Sequence, residues 1–254
     1  MNAIRFQNVS KIYRRSHLGK VTETTGLSGL DLDIEKGEVF GLLGLNGSGK
    51  TTAIKLLMGL HHPTKGEVET LGRRASDVEV LARIGYAPEA AYLNKTLTGR
   101  ENLRLFAALS RIPRAEIEGR VEEMLGRVGL GKALDQRLSE YSKGMLQRAS
   151  LAQALIHDPE LVILDEPVTG LDPLAIKEVR VLILWLKSKG KTVLFSSHDI
   201  SEVERVCDRI GILSGGRLVK VMKQAEWRGK ADALETAFAA AVVRTDGVGS
   251  IRME

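Results

Sequence analysis

One stretch of the sequence has the residue types and spacing needed to bind phosphate groups. The pattern G-x-x-x-x-G-K-[ST] is matched by Gly44, Leu45, Asn46, Gly47, Ser48, Gly49, Lys50 and Thr51, and Thr52 follows directly. Glycines let the backbone turn tightly, so that successive N–H groups converge on phosphate oxygens. The Lys50 ammonium would meet the β- and γ-phosphates, and the Thr51 hydroxyl could ligate Mg²⁺. We therefore predict that this stretch binds a nucleoside triphosphate.

The segments on either side predict the elements that would position this loop. Residues 39–43 form a short run of strand-forming residues before it, and residues 52–58 have a helical pattern after it. A helix in that place would direct its N-terminal dipole towards the anion. The alternative is a glycine-rich turn that fits the pattern by chance.

The composition is ordinary for a globular protein. Of the 254 residues, 43% are hydrophobic and 27% charged, and the formal net charge is +5. No apolar run approaches the ~20 residues of a membrane-spanning helix, and the first residues lack the apolar core of a signal peptide, so we expect a cytoplasmic chain. The low aromatic content, 4%, argues against stacking on single-stranded nucleic acid. Cys207 is the only cysteine, which excludes an intramolecular disulfide.

The hydrophobic pattern changes twice along the chain. Up to residue 88 it favours strands, with residues 14–28 predicted to form an extended hairpin tip or loop. Residues 98–157 are helical and begin with a capping box from Thr98 to Glu101. From residue 161 onwards, buried strands alternate with amphipathic helices. This alternation predicts an α/β fold with a mainly parallel sheet, into which the helical block is inserted as a subdomain.

Two acidic residues follow a strand that is predicted to be fully buried, residues 161–164. Asp165 is placed where such a fold holds Mg²⁺, usually through water. Glu166 comes next, and a second acid there can orient or deprotonate the water that attacks the γ-phosphate. The alternative interpretation is that both acids cap the next helix.

Two further segments carry polar residues that could contact phosphate. His198 lies in residues 196–199, which end the predicted buried strand at residues 192–195, and the carboxyl edge of a parallel sheet would place it within reach of a γ-phosphate. Ser142 and Gly144 lie at the start of a predicted helix, which makes a second anion site. Because the chain already has a phosphate loop, this second site suggests contact with another subunit's nucleotide. Taken alone, an ordinary serine cap is the simpler reading of Ser142.

In this combination and order the motifs resemble those of an ATP-binding-cassette (ABC) ATPase, the nucleotide-binding subunit of a membrane transporter. The resemblance runs from about residue 4 to residue 218. It implies a P-loop NTPase with a RecA-like core, an N-terminal antiparallel β subdomain and an inserted helical subdomain. We expect one domain over residues 1–254, with the core at about 1–88 and 158–222, the helical subdomain at about 89–157 and a C-terminal extension at about 223–254.

The resemblance also implies a role for each matching residue. Residues 44–52 correspond to the Walker A loop and residues 161–166 to the Walker B strand, with Glu166 as the catalytic acid. The other matching positions are the signature at 142–147, the D-loop at 170–173 with Asp172, the switch residue His198 and the adenine-stacking aromatic Tyr13.

Three departures from the family pattern are informative. Glu89 stands where the family usually has a glutamine, and its carboxylate can still ligate Mg²⁺ or its water. The signature reads Tyr-Ser-Lys-Gly-Met rather than Leu-Ser-Gly-Gly-Gln. Together these two variants are similar to the branch that pairs with export-type permeases. The third departure is the longer segment at residues 14–28.

The resemblance implies an ATPase that forms a head-to-tail dimer around two ATP molecules and drives a separate permease. Each ATP would meet Lys50, Thr51 and Asp165 of one copy and Ser142 and Gly144 of the other. The permease would hold the chain at the inner face of the cell membrane, and no direct contact with nucleic acid is expected. The alternative is a soluble ABC ATPase of cofactor assembly or of DNA or translation maintenance. A P-loop kinase or GTPase outside the family would give no reason for the Ser142 segment.

Overall fold

The computed structural model describes residues 1–17 and 20–246, and these residues form two compact units. Unit 1 comprises Met1–Leu81 and the chain from Ser196 onwards, and unit 2 comprises Ala82–Phe195. The strands are β1 Asn2–His17, β2 Lys20–Glu35, β3 Val39–Leu43, β4 Lys65–Thr70, β5 Arg73–Arg74, β6 Ile84–Ala87, β7 Leu161–Asp165, β8 Thr192–Ser197, β9 Arg209–Ser214 and β10 Arg217–Lys223. The helices are α1 Lys50–Leu57, α2 Val78–Leu81, α3 Gly99–Leu109, α4 Arg114–Arg127, α5 Lys143–Leu155, α6 Pro173–Ser188, α7 Ile200–Val206, α8 Gln224–Trp227 and α9 Ala233–Asp246, with a 3₁₀ turn at Leu138–Glu140.

Unit 1 contains an antiparallel sheet whose strand order is β2, β1, β4, β5. The sequence alternates apolar and acidic residues along β2, and the structure buries Leu30 and Ile34 completely while Asp31 and Asp33 stay exposed. Ile4 of β1 pairs with Ile34 and is itself fully buried. This period-two burial is what a sheet with one apolar face requires, and it confirms the predicted N-terminal antiparallel sheet.

The β1–β2 hairpin is longer than the hydrophobic pattern indicated. Much of the segment at residues 14–28, expected as a hairpin tip or loop, continues as paired strands, with Arg14 opposite Glu23. These two side chains form an exposed ion pair of 2.7 Å, a type of contact that contributes little stability. Leu18 and Gly19, which belong to the predicted tip, lie outside the described residues.

A second group of strands in unit 1 has the order β10, β9, β3, followed by the last residues of β8. β9 and β3 are parallel, whereas β10 and β9 are antiparallel. All five residues of β3 are buried, as expected for a strand covered on both faces. Trp227 of α8 is 1% exposed, and its indole N–H donates to the Glu204 carbonyl oxygen at 3.4 Å.

Unit 2 contains β6 and β7 as a parallel pair, with β8 on the far side of β7. Residues 161–164 of β7 are fully buried, and each apolar side chain removed from water in this way contributes about 1.5–3 kcal/mol before entropic costs.

The helical segment begins as predicted, because Thr98 and Glu101 form a reciprocal capping box at the start of α3. The Arg127 guanidinium of α4 lies 3.9 Å from the ring centroid of Trp185 on α6.

Taken together, the antiparallel sheet, the parallel strands and the inserted helices confirm the predicted fold class. The finer division into core, helical subdomain and C-terminal extension stays a prediction. In the part of the chain that the structure describes, no helix has the length and apolar character to cross a lipid bilayer.

Gly85 of β6 is a position where the packing of unit 2 permits no side chain. A Cβ there would overlap the Ala154 carbonyl oxygen of α5 and lie 2.8 Å from Pro159 Cγ. We expect Gly85→Ala to lower the free energy of unfolding by roughly 2 kcal/mol through overpacking, as measured by urea denaturation. Gly119, on the exposed face of α4, has no atom near the equivalent position. As the matched control, Gly119→Ala should stabilise the chain by up to about 1 kcal/mol. Equal effects of the two substitutions would contradict this account.

Candidate nucleotide-binding site

In unit 1 the predicted phosphate loop connects the end of β3 to the start of α1, as the sequence indicated. Gly47 and Gly49 have φ angles of +82° and +109°, a backbone region that residues with a Cβ avoid. A Cβ at Gly49 would also lie 2.5 Å from the Gly26 carbonyl oxygen. The tight turn and the close approach of β2 therefore both require glycine at this position.

The hydrogen-bond donors of the phosphate loop are suited to binding an anion. Lys50 is 6% exposed, and its ammonium donates to the carbonyl oxygens of Gly44, at 2.6 Å, and Leu45, at 3.2 Å. The Ser48 hydroxyl is buried and has no hydrogen-bond partner among the described residues. A buried hydroxyl without a partner is costly, and phosphate oxygens would accept its hydrogen bond. The loop thus has the donor set for the phosphates of ATP.

Tyr13 lies at the end of the phosphate loop. Its hydroxyl donates to Thr52 Oγ1 at 3.3 Å, and a Cβ on Gly26 would lie 2.7 Å from its ring. The His61 ring contacts Tyr13 edge-on, with centroids 5.5 Å apart. Desolvation, followed by the nearby Lys11 and Lys55 ammonium groups, lowers the pKa of His61. The remaining loop residues that were predicted to contact nucleotide are solvent-accessible, namely Leu45, Asn46, Gly47 and Thr51.

His198 lies at the same edge of the sheet as the phosphate loop. The Gly44 amide donates to the carbonyl oxygen of Ser197, the last residue of β8, at 3.2 Å. His198 follows directly and is exposed. Within unit 1 the structure therefore brings together Tyr13, the loop and His198, although the sequence separates them widely.

In unit 2, Asp165 ends β7 and Glu166 follows it, and their exposed fractions are 4% and 7%. The alternative that these acids cap the next helix is wrong, because α6 begins at Pro173 and Asp172 caps it. Glu166 has a φ angle of +49°, a strained value for a residue other than glycine. Strain of this kind is concentrated at functional sites.

Tyr86 lies on β6, the strand that pairs with β7. Burial, and then the Asp165 carboxylate, raise the pKa of Tyr86 to about 12. Glu89 follows two residues after β6 and is exposed. Ala87 and Leu164 pair in parallel register, so Glu89 and Asp165 leave the sheet at the same edge.

The predicted magnesium ligands are the Thr51 hydroxyl and the carboxylates of Asp165 and Glu89. Hydroxyl and carboxylate oxygens are ligands that Mg²⁺ accepts, and Mg²⁺ usually keeps several waters. Residues 1–17 and 20–246 contain no group of three or more His, Cys, Asp or Glu side chains that could hold a metal ion. Thr51, Asp165 and Glu89 stay predicted magnesium ligands.

The signature segment and the D-loop meet at two helix N-termini in unit 2. Ser142 caps α5, and its hydroxyl oxygen accepts from the Met145 amide at 3.3 Å. A Cβ at Gly144 would lie 3.6 Å from Ala175 Cβ and 3.9 Å from an Asp172 carboxylate oxygen. Asp172 accepts from the amides of Ala175 and Leu174, which lower the pKa of its carboxyl group.

Lys143 bridges the same two segments. Its Nζ occupies the place that a Cβ on Gly170 would take. Gly170 has a φ angle of +68°, so this position needs glycine for its backbone as well as for the space that the ammonium fills.

Two residues with contacts at these segments were not singled out from the sequence. The Thr169 hydroxyl donates to Glu166 Oε2 at 3.1 Å, and its spacing of three residues from the acid was the only available signal. Arg148 of α5 donates to Glu178 of α6 at 2.6 Å and to the Val128 carbonyl oxygen at 3.4 Å. It thereby links the signature helix to the helix that follows the D-loop.

A glycine-rich loop between a buried strand and a helix, in an α/β fold of this type, defines a P-loop nucleoside triphosphatase. The more particular assignment follows from comparison with known proteins. The chain belongs to the ABC transporter family, whose family model matches residues 27–169. The resemblance stated from the motifs is therefore confirmed, as is the predicted class of enzyme, an ATPase.

Individual relatives agree with this assignment. An uncharacterized ABC transporter ATP-binding protein of Nostoc sp. (strain PCC 7120) is 48% identical over 223 residues, covering 84% of this chain and 67% of the relative. Nod factor export ATP-binding protein I of Rhizobium meliloti is 40% identical over 208 residues, covering 80% of this chain and 62% of the relative. This chain spans about two thirds of the length of the curated relatives it matches.

Among solved structures, the ATP-binding cassette MJ0796 has a similar fold. Its dimeric post-hydrolysis state, bound to ADP and Pi, matches with a TM-score of 0.79 and 27% identity, covering 87% of this chain and 98% of the other.

The link between Tyr86 and Asp165 can be tested by titration. We expect Asp165→Asn to lower the pKa of Tyr86 from about 12, while burial, the larger cause, keeps it above the ordinary value of 10.0. The measurement is the ultraviolet difference absorbance of tyrosinate, with Tyr86→Phe identifying the transition. The control is Asp135→Asn, because Asp135 acts on Tyr141 instead. An unchanged Tyr86 transition in Asp165→Asn would show that Asp165 carries no negative charge near the phenol.

Proposed function

We propose that the chain is the ATP-binding and ATP-hydrolysing subunit of a membrane transporter and that it drives a separate permease. The observation that carries the proposal is the phosphate loop itself, with its left-handed glycines and the unsatisfied Ser48 hydroxyl. Family membership supports the same conclusion, since the family is that of the ABC transporter.

In this proposal, ATP binds along the edge where Tyr13, the phosphate loop and His198 lie. The adenine ring stacks on Tyr13, whose hydroxyl is held by Thr52. The amides of residues 44–52 and the Ser48 hydroxyl donate to the phosphates. The Lys50 ammonium exchanges a carbonyl oxygen of the loop for a phosphate oxygen, a stronger charge-assisted bond.

Mg²⁺ would be held by Thr51, Asp165 and Glu89, either directly or through water. When bound, it neutralises charge between the β- and γ-phosphates. The observed donor types support this assignment, since all three side chains offer oxygen ligands.

The proposed hydrolysis uses Glu166 as a general base. Glu166 accepts a proton from water while the water oxygen attacks the γ-phosphorus, and the bond from that phosphorus to the bridging oxygen of ADP breaks. His198 holds a γ-phosphate oxygen and stabilises the charge that develops there. The burial of Glu166 supports its role, because a carboxylate that is shielded from bulk water interacts more strongly with the reacting groups.

The proposed active form is a head-to-tail dimer with two ATP molecules at the interface. Ser142 and Gly144 of the second copy would complete each site, with the N-terminus of α5 directed towards the γ-phosphate. The dimeric state of the structurally similar cassette supports this arrangement, and so does the position of Ser142 at an exposed helix start.

We further propose export as the direction of transport. Glu89 and the Ser-Lys-Gly-Met signature are similar to the branch that pairs with export-type permeases, and one relative is a Nod factor export ATP-binding protein. The permease would hold the chain at the cytoplasmic face of the membrane. No described feature favours the alternative of a soluble maintenance ATPase.

Glu166→Gln tests the catalytic proposal. The amide cannot accept the proton from water, so we expect ATP binding to persist while the hydrolysis rate falls at least about 100-fold, and ATP should trap a dimer. Phosphate release and gel filtration with ATP measure the two effects. The control is Glu160→Gln, at an exposed acid paired with Arg83 at 2.7 Å, which should hydrolyse ATP normally. A Glu166→Gln chain that turned over ATP at the parental rate would remove Glu166 from this role.

Ser142→Arg tests the composite site. A large cation at the start of α5 would block the approach of a second copy and oppose the helix dipole. We expect ATP-dependent dimers to disappear, while each monomer keeps its affinity for a fluorescent ATP analogue. Ser110→Arg, at the exposed end of α3, serves as the matched control and should dimerise as the parent does. Normal dimers of Ser142→Arg would refute the proposed contact.

A further inference from the structure

We propose that Thr169 is a positioning residue for Glu166 and that its hydroxyl fixes the orientation of the carboxylate that takes the proton from water. The inference rests on the proposed role of Glu166 as general base. Thr169 lies outside the phosphate loop, the acidic strand end and the signature, and the proposal gives its hydroxyl a role in the turn between Glu166 and Asp172.

The contact has two parts within one short turn. The Thr169 hydroxyl donates to Glu166 Oε2 at 3.1 Å, and the Thr169 amide donates to the Glu166 carbonyl oxygen at 3.2 Å. The main-chain bond fixes the distance between the two residues. The side-chain bond holds one carboxylate oxygen, so that the plane of the carboxylate is set relative to β7.

The turn that carries Thr169 is itself fixed at its far end. The Leu171 amide donates to the Val168 carbonyl oxygen at 3.2 Å, and Val168 is 7% exposed. Asp172 then caps α6. Because these contacts hold the turn on both sides of Thr169, its hydroxyl is already placed beside the carboxylate before the reaction.

Two further features act on the same turn. Glu166 has the left-handed φ of +49°, which a side chain tolerates only when neighbouring contacts hold it. Lys143 Nζ lies over Gly170, the residue after Thr169, and packs against the turn there. The hydroxyl bond to Glu166 is thus one of several constraints that keep an unfavourable backbone conformation in place.

Thr169→Val tests the inference, because valine keeps the branched shape and removes only the hydroxyl. We expect the kcat for ATP hydrolysis to fall about tenfold, the loss typical of one hydrogen bond to a charged group. The KM and the ATP affinity should stay within twofold of the parent, since the residue does not touch nucleotide in the proposed site. Thr169→Ser should recover most of the rate, and Thr22→Val, at an exposed threonine of β2, is the matched control.

Thr169→Ala provides a second variant in case valine disturbs folding, and thermal unfolding is recorded for every chain. In the Glu166→Gln background, Thr169→Val should add no further loss of rate, because the two residues act through one group. The inference is overturned if Thr169→Val and Thr169→Ala both keep the parental kcat while Glu166→Gln is inactive. It is also overturned if KM rises instead of kcat falling, or if serine fails to rescue. Parental turnover by Glu166→Gln would instead overturn the proposed function.

Discussion

The hydrogen bond from the Gly44 amide to the Ser197 carbonyl oxygen, 3.2 Å long, is the contact on which the arrangement of unit 1 depends. It joins the ends of β3 and β8, so that the phosphate loop and His198 leave the sheet at the same place. Parallel strands present their last residues at a common edge, and the loop needs that edge because its amides must point away from the strands. The left-handed glycines and the helix dipole of α1 then act on one small region of space.

In unit 2, two carboxylates are held in a place that is shielded from water. Burying a charge is expensive unless polar groups compensate it, and Asp165 and Glu166 are both more than nine-tenths buried. Burial, and after it the negative charge of Asp165, raise the pKa of the neighbouring Tyr86. The hydroxyl of Thr169 provides part of the compensation at Glu166. A polar turn directly after a fully apolar strand is therefore a physical necessity for holding these acids.

The sequence predicted those features of the structure that depend on residues close to one another in the chain. The capping box at Thr98, the strand before the phosphate loop and the burial of β7 followed from the local residue pattern. The extent of the β1–β2 hairpin did not, because its outer part is held by backbone pairing between polar residues and has no apolar face to reveal it. The bond between Thr169 and Glu166 depends on a left-handed backbone at Glu166, which no propensity predicts. Likewise, the place of Lys143 over Gly170 is a contact between the start of α5 and the turn before α6, which local patterns do not predict.

The positions of the tryptophans have a practical consequence. The chain has two of them, Trp227 buried in unit 1 and Trp185 in unit 2 beneath the Arg127 guanidinium. A cation close to an indole ring alters its emission, and the interior location of the other indole gives it a different spectrum. Intrinsic fluorescence therefore contains a separate optical signal from each unit. Variants that retain a single tryptophan would let the unfolding of each unit be followed without any added dye.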